Sequence, residues 1–132
     1  MIVRRIILST QTKDKLSRLK GKTGIKNWNV LCRWALCFSL AENTIPVDVE
    51  DSSEGSLEIS WHTMFGENHE IYEALVKAKC IDDGLPTDKE TLARYLKLHI
   101  VRGVAYLSGT NVIASISDLL EIGMSKSKEE EI

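Results

Sequence analysis

The chain has 132 residues, 43% hydrophobic and 27% charged, with a formal net charge of −2. That is a one-domain length and an ordinary soluble globular composition. It excludes a membrane-spanning helix, since no apolar run nears the ~18 residues required. Three cysteines, Cys32, Cys37 and Cys80, are too few and odd in number for a disulfide scaffold.

Two arginines open the chain, but only Ile6-Ile7-Leu8 follow before polar residues, so no signal peptide is expected. The reading is a cytoplasmic protein with buried, reduced thiols. Charge is unevenly spread. Residues 1–41 hold nine basic residues (Arg4, Arg5, Lys13, Lys15, Arg18, Lys20, Lys22, Lys26 and Arg33) against Asp14 alone, a net +8. Residues 42–73 hold nine acidic residues and no basic one, a net −9. The front of the chain is therefore either a polyanion-facing end or a solvated lysine-rich face beside an acidic loop.

Ile2–Leu8 is β-branched and apolar, which predicts a strand. Alternation puts Arg4, Ile6 and Leu8 on one face and Val3, Arg5 and Ile7 on the other. Such a strand is buried on both sides or paired with another chain. Ser9 and Thr10 are candidate caps for a helix to Lys20 carrying Leu16 and Leu19. Gly21 can end that helix, and Gly24 gives a second permissive turn position. A second helix follows from Lys26 to Glu42, with Asn27 or Asn29 as its cap. Between Val30 and Ala41 only Arg33 and Ser39 are clearly polar. A helix this apolar is surrounded, which predicts a core shared between subunits.

Glu42–Gly55 reads as a loop and Ser56–Trp61 as a short strand ended by Gly66. Glu67–Cys80 is a predicted helix that buries Ile71, Leu75 and Ala78 with Tyr72 and Val76. Thr87 and Glu90 have capping-box spacing ahead of a helix to about Leu107. Its Leu92, Leu96, Ile100 and Val104 form the buried stripe. Asn111–Ile122 is a last helix, and residues 124–132 read as a disordered tail. The fold class is mainly α: a ribbon-helix-helix-like unit at 2–42, then packed helices at 56–122, in one domain spanning 1–123.

The chemistry-bearing motifs are few. Gly21-Lys22-Thr23 lacks the glycine five residues upstream that a phosphate loop requires; Leu16 stands there. His62, His69 and His99 have no metal-ligand spacing, and Cys32 and Cys37 point different ways around a helix. No metal, no cofactor and no catalytic residue is expected. The lysines and arginines of the front unit are phosphate-contacting types, which give affinity without sequence information. On the outward strand face Arg5 alone can donate to a base.

In their order, Arg4-Arg-Ile-Ile-Leu-Ser9, Lys22-Thr-Gly-Ile25, the helix Asn29–Leu40, Trp61-His-Thr-Met-Phe-Gly66 and the helix Leu96–Leu107 resemble the DndE family of bacterial DNA sulfur-modification proteins. The resemblance runs from Ile2 to about Gly123. It implies a non-catalytic, homotetrameric, DNA-engaging subunit of the phosphorothioation system that prefers nicked duplex. Its partners would be the other sulfur-modification proteins. The expected DNA contacts are Arg5, Lys13, Lys15, Arg18, Lys20, Lys22 and Lys26, with Gly21 and Gly24 shaping the turn. A ribbon-helix-helix repressor or antitoxin, and a pure adaptor for the modification proteins, are the competing readings.

Overall fold

The computed structural model describes residues 1–48, 55–109 and 115–130. Its elements are β1 (Arg5–Ser9), α1 (Thr10–Thr23), α2 (Trp28–Leu40), β2 (Gly55–Ser60), α3 (Trp61–Phe65), a 3-10 turn (Gly66–Asn68), α4 (His69–Asp82), α5 (Lys89–Leu107) and α6 (Ile116–Glu130). The molecule is mainly helical, with one two-stranded sheet.

β1 finds its partner within the chain. It pairs antiparallel with β2, with Ile6 opposite Ile59 and Leu8 opposite Leu57. Ile6 and Leu8 are buried while Arg5 and Ile7 are exposed, the alternation expected of a strand with one covered face. The strand-helix-helix order is present. Of the two alternatives, burial on both sides or pairing with another chain, neither is what occurs: the strand pairs with a segment some fifty residues downstream in the same chain.

Ser9 closes the strand and caps α1, its hydroxyl accepting from the Thr12 N–H at 3.2 Å. Such a cap contributes about 1 kcal/mol. Ser9→Ala should therefore lower the urea-unfolding free energy by about that amount, and an unchanged midpoint would show the cap to be idle. α1 does not stop at Gly21. It continues to Thr23, and Gly24 (φ 75°) is the left-handed cap, its N–H donating to the Lys20 carbonyl at 2.9 Å. Thr23 supports this ending: its hydroxyl donates to the Leu19 carbonyl and accepts from the Ile25 N–H.

The core lies chiefly between α2 and α5, which share the largest helix–helix interface. α2 buries Leu31, Cys32, Ala35, Leu36 and Ser39. α5 answers with Leu92, Leu96, Ile100, Val104 and Leu107, the stripe its sequence predicts. Much of the apolar surplus expected to face other subunits is thus covered by α5 of the same chain. The crossing is close because Gly103 has no side chain: a Cβ there would stand 2.0 Å from the Ala35 carbonyl oxygen.

Other boundaries move for local reasons. Trp61, the last residue of the expected strand, instead opens a helical turn, Trp61–Phe65, capped by the Ser60 hydroxyl, which accepts from the Thr63 N–H. It buries Trp61, Met64 and Phe65. Asp88 rather than Thr87 caps α5: its carboxylate accepts from the Thr91 N–H at 3.1 Å and from the Thr91 hydroxyl at 2.7 Å. Those bonds hold the Asp88 carboxyl below the usual carboxylate range. α4 buries only part of the side its sequence indicates: Val76 is buried and Tyr72 packs against the core as expected, but Ile71, Leu75 and Ala78 do not. Val76 and Cys80 are buried, whereas Ile71, Ala74, Leu75 and Ala78 are exposed. α6 runs on to Glu130 where a disordered tail is expected. Gly123 does not stop it, because it serves packing: a Cβ there would meet the Trp34 ring at 3.0 Å. Part of the acidic loop (residues 49–54), residue 110, the start expected for the last helix (111–114) and the final two residues lie outside the described residues.

Candidate nucleic-acid interface

α1 presents one stripe to the core: Thr12, Leu16, Leu19 and Thr23. Helical phase distributes the cations around it at 3.6 residues per turn. Lys13 and Lys20, seven residues apart, lie along one shoulder. Lys15 and Lys22, also seven apart, lie along the other with Arg18 beside them. The crest between the shoulders carries Asp14, Ser17 and Gly21, all exposed. Nothing lies within 4 Å of where a Gly21 Cβ would be. At ~1.5 Å per residue the helix is about 21 Å long, the length of roughly six base-pair steps at ~3.4 Å. Asp14 is the one acidic residue in α1.

The turn after α1 extends this surface. Lys26 is exposed. Lys20 Nζ sits 3.5 Å from the centroid of the Trp28 ring, a cation–π contact joining the end of α1 to the start of α2. Asn27 is the N-cap of α2 but makes no side-chain cap bond. Lys20 and Lys22 also lie in the last turn of α1, where the helix dipole favours cations.

Two arginines of the positive front segment are used internally or held elsewhere. Arg33 donates to the Met64 carbonyl at 2.7 Å, and Asn29 donates to the Thr63 carbonyl at 2.9 Å; together they fasten α2 to α3. Arg5 stands on the strand, not on the helix, and its guanidinium bonds Glu58 on β2 at 2.7 Å. Both groups of that pair are more than half exposed. An exposed pair of this kind is worth ~0–1 kcal/mol, so it yields readily to a phosphate. The structure therefore brings Lys13, Lys15, Arg18, Lys20, Lys22 and Lys26 onto α1 and its turn, and leaves Arg5 apart.

The DndE family model, described as DNA sulphur modification protein DndE, matches residues 5–115. The chain belongs to the DndE family. Among solved structures, the crystal structure of DndE from Escherichia coli B7A, involved in DNA phosphorothioation modification, is 28% identical. The match covers 80% of this chain and 98% of that one, with a TM-score of 0.66. A crystal structure of a DndE glycine-to-lysine double mutant is 22% identical, with a TM-score of 0.62 over 81% of this chain and 100% of the other. That second likeness is one of fold. No curated protein sequence matches the chain.

This DndE-family chain also holds polar groups that spacing did not reveal. Ser39 Oγ lies 2.8 Å from His99 Nδ1, sixty residues away in sequence. Arg102 Nε donates to the same Ser39 hydroxyl at 2.7 Å, and Arg102 also donates to the carbonyls of Ser39 and Thr44. Ser39 and His99 are fully buried. The cluster fastens the C-terminal end of α2 to α5, satisfying carbonyls the helix leaves open. Burial, helped by the Arg102 charge, pushes the His99 imidazole down to about 4.

His62 and His69, apart in sequence, come together with ring centroids 4.9 Å apart. His69 Nδ1 accepts from the Trp61 indole N–H. No group of three or more metal-ligating residues occurs among the described residues. Cys32 and Cys80 are buried as expected, and burial pushes the Cys32 thiol up to about 12. Cys37 is exposed, because its helical position turns away from α5. No helix among the described residues is long and apolar enough to cross a membrane.

Proposed function

We propose that this member of a DNA sulphur-modification family is the part that holds the DNA, and performs no chemistry of its own. The observation that carries this reading is the pair of cationic rows on α1, five basic side chains against one acidic. Lysines contact phosphate as point charges and read no base. Replacing an oxygen of the DNA backbone calls for a grip on that backbone. In this reading the contacts are Lys13, Lys15, Arg18, Lys20, Lys22 and Lys26, with Arg5 as an outlying one. The protein works in the cytoplasm as a homo-oligomer, a tetramer as the family resemblance implies, beside the other sulfur-modification proteins. It prefers nicked duplex. The sequence-specific repressor reading has less support, since β1 pairs in cis and offers one base-reading side chain.

The test is a salt titration of binding to intact, nicked and single-stranded DNA. Lys13→Ala/Lys20→Ala/Lys22→Ala should reduce the log–log salt slope on duplex by about 2.7, at ~0.9 per contact. Affinity near 0.1 M salt should fall about 10- to 100-fold. An unchanged slope with the fold intact removes the site. Equal affinity for nicked and intact duplex removes the nick preference, and no binding by the wild type leaves the adaptor reading.

A further inference from the structure

A two-stranded sheet leaves each strand one unpaired edge, a row of N–H and C=O groups open to another backbone. Among the described residues β1 pairs with β2 alone. The phase of that ladder is fixed where the Trp61 N–H donates to the Arg4 carbonyl at 2.9 Å. In the observed register the bonded pairs are then Ile6 with Ile59 and Leu8 with Leu57. Arg5 and Ile7, at the alternate positions, direct their N–H and C=O groups away from β2.

A cleft of about 270 Å³ runs between β1 and α5. Residues of both strand faces line it and none of β2 does, so it lies along this free edge. Ile6, Ala93 and Leu96 give it an apolar floor. Arg5, Arg94 and Lys97 rim it, and no acidic residue lines it among the described residues. Arg94 and Lys97, three apart on α5, are neighbours on one face of the helix. Arg5 is held by Glu58 and Arg94 by Asp48, in pairs whose side chains are all more than half exposed. Such pairs hold weakly, so each arginine can exchange its partner for another carboxylate. Lys97 has no ion pair among the described residues.

We propose that this cleft receives an extended acidic segment of another protein, which adds to β1 as a third strand. The inference stands apart from the DNA reading, because Arg94 and Lys97 are not among the contacts named for DNA. The edge presents donors and acceptors in alternation, and a second backbone returns both. A phosphate accepts hydrogen bonds but has no N–H for the Arg5 and Ile7 carbonyls. The floor takes alternate apolar side chains of the incoming strand, and the rim takes its carboxylates. A second copy of β1 is a poor occupant, since its own Arg4 and Arg5 would meet the same three cations. Charge on the edge thus selects an acidic strand and turns others away.

The probe is an acetylated, amidated peptide, Glu-Val-Glu-Val-Glu-Val-Glu, added to the full chain and read by amide hydrogen exchange in NMR. Without peptide, the Arg5 and Ile7 amides should exchange faster than those of Ile6 and Leu8. Saturating peptide should slow them about 10-fold or more. The same peptide N-methylated throughout should bind about 10-fold more weakly, having lost its donors. A version with lysine for glutamate should weaken comparably, as should Lys97→Glu with its fold checked by circular dichroism. The peptide arms need no variant, so they decide the matter should Lys97→Glu fail to fold. Arg5 and Ile7 amides as protected as those of Ile6 and Leu8 before peptide is added would mean a covered edge and overturn the proposal. No binding, or equal binding of the N-methylated or lysine peptide, overturns it as well. A short DNA duplex that gives the same protection would make the cleft a nucleic-acid site and also overturn it. Peptide binding kept by Lys13→Ala/Lys20→Ala/Lys22→Ala places the segment away from α1; its loss there overturns the assignment to this cleft.

Discussion

Gly103→Ala should destabilise the protein by about 3 kcal/mol, the upper end of overpacking costs. The added Cβ would lie 2.0 Å from the Ala35 oxygen, 2.5 Å from its carbonyl carbon and 2.8 Å from its Cα. All three are backbone atoms, so no side chain can rotate aside. α2 and α5 would have to move apart by about an ångström, loosening the densest part of the core. Leu31, Cys32 and Leu36 face Leu96, Ile100 and Val104 there, all nearly or fully buried. The gain of about 1 kcal/mol in helix propensity from replacing glycine offsets only part of this. Gly21 is the control. It too lies inside a helix, but no atom is within 4 Å of its would-be Cβ. Gly21→Ala should therefore stabilise by roughly 0.5–1 kcal/mol. Urea unfolding of both variants measures the contrast, and equal shifts would mean the α2–α5 crossing is looser than described.

The same contrast shows how far local sequence reaches. The strand-helix-helix order was legible because β-branching, a Ser cap and apolar period are local signals. The α5 stripe of Leu92, Leu96, Ile100 and Val104 was legible for the same reason. Gly21 and Gly24 are equally permissive in isolation. Which one ends α1 depends on Thr23 and its two hydrogen bonds. In α4 the expected buried side merged two apolar stripes, because Tyr72, Val76 and Cys80 form one no more apolar than Ile71, Leu75 and Ala78, and only the first meets the core. The partner of β1 and the closeness of Gly103 to Ala35 are non-local and carry no signature.

The candidate site divides in the same way. The six cations of α1 and its turn could be named from composition, and their two rows follow from helical phase. That Arg33 is spent on the Met64 carbonyl and Arg5 on Glu58 required the tertiary fold. So did the approach of Ser39 to His99 across sixty residues.

That buried histidine should make stability fall with acid before the carboxylates do. Arg102 Nε donates to Ser39 Oγ, so the Ser39 hydrogen is directed at His99 Nδ1. The neutral tautomer with its proton on Nε2 fits this arrangement, and Nε2 has no partner among the described residues. Protonating Nδ1 would set two hydrogens against each other and place a second cation near Arg102. From α4, Lys79 also opposes protonation and Asp83 favours it, but desolvation is the largest influence. Tyr95, edge-on to the His99 ring, donates to the Asp83 carboxylate, and burial first, then that bond, keep its phenol protonated. The folded imidazole therefore titrates near 4, while the unfolded one titrates at its ordinary 6.5. Because the folded value is the lower one, the contribution is complete above pH 6.5 and is lost as pH falls toward 4. The loss should reach about 2–3 kcal/mol. His99→Gln, which stays neutral, should flatten the pH dependence of the unfolding free energy across that window, whatever its absolute stability. Carboxylates with lowered values, such as Asp88 and Glu73, act mainly below the window and should keep their slope in the variant. A variant that loses stability between pH 6.5 and 4 as steeply as the wild type would assign the acid sensitivity to another group.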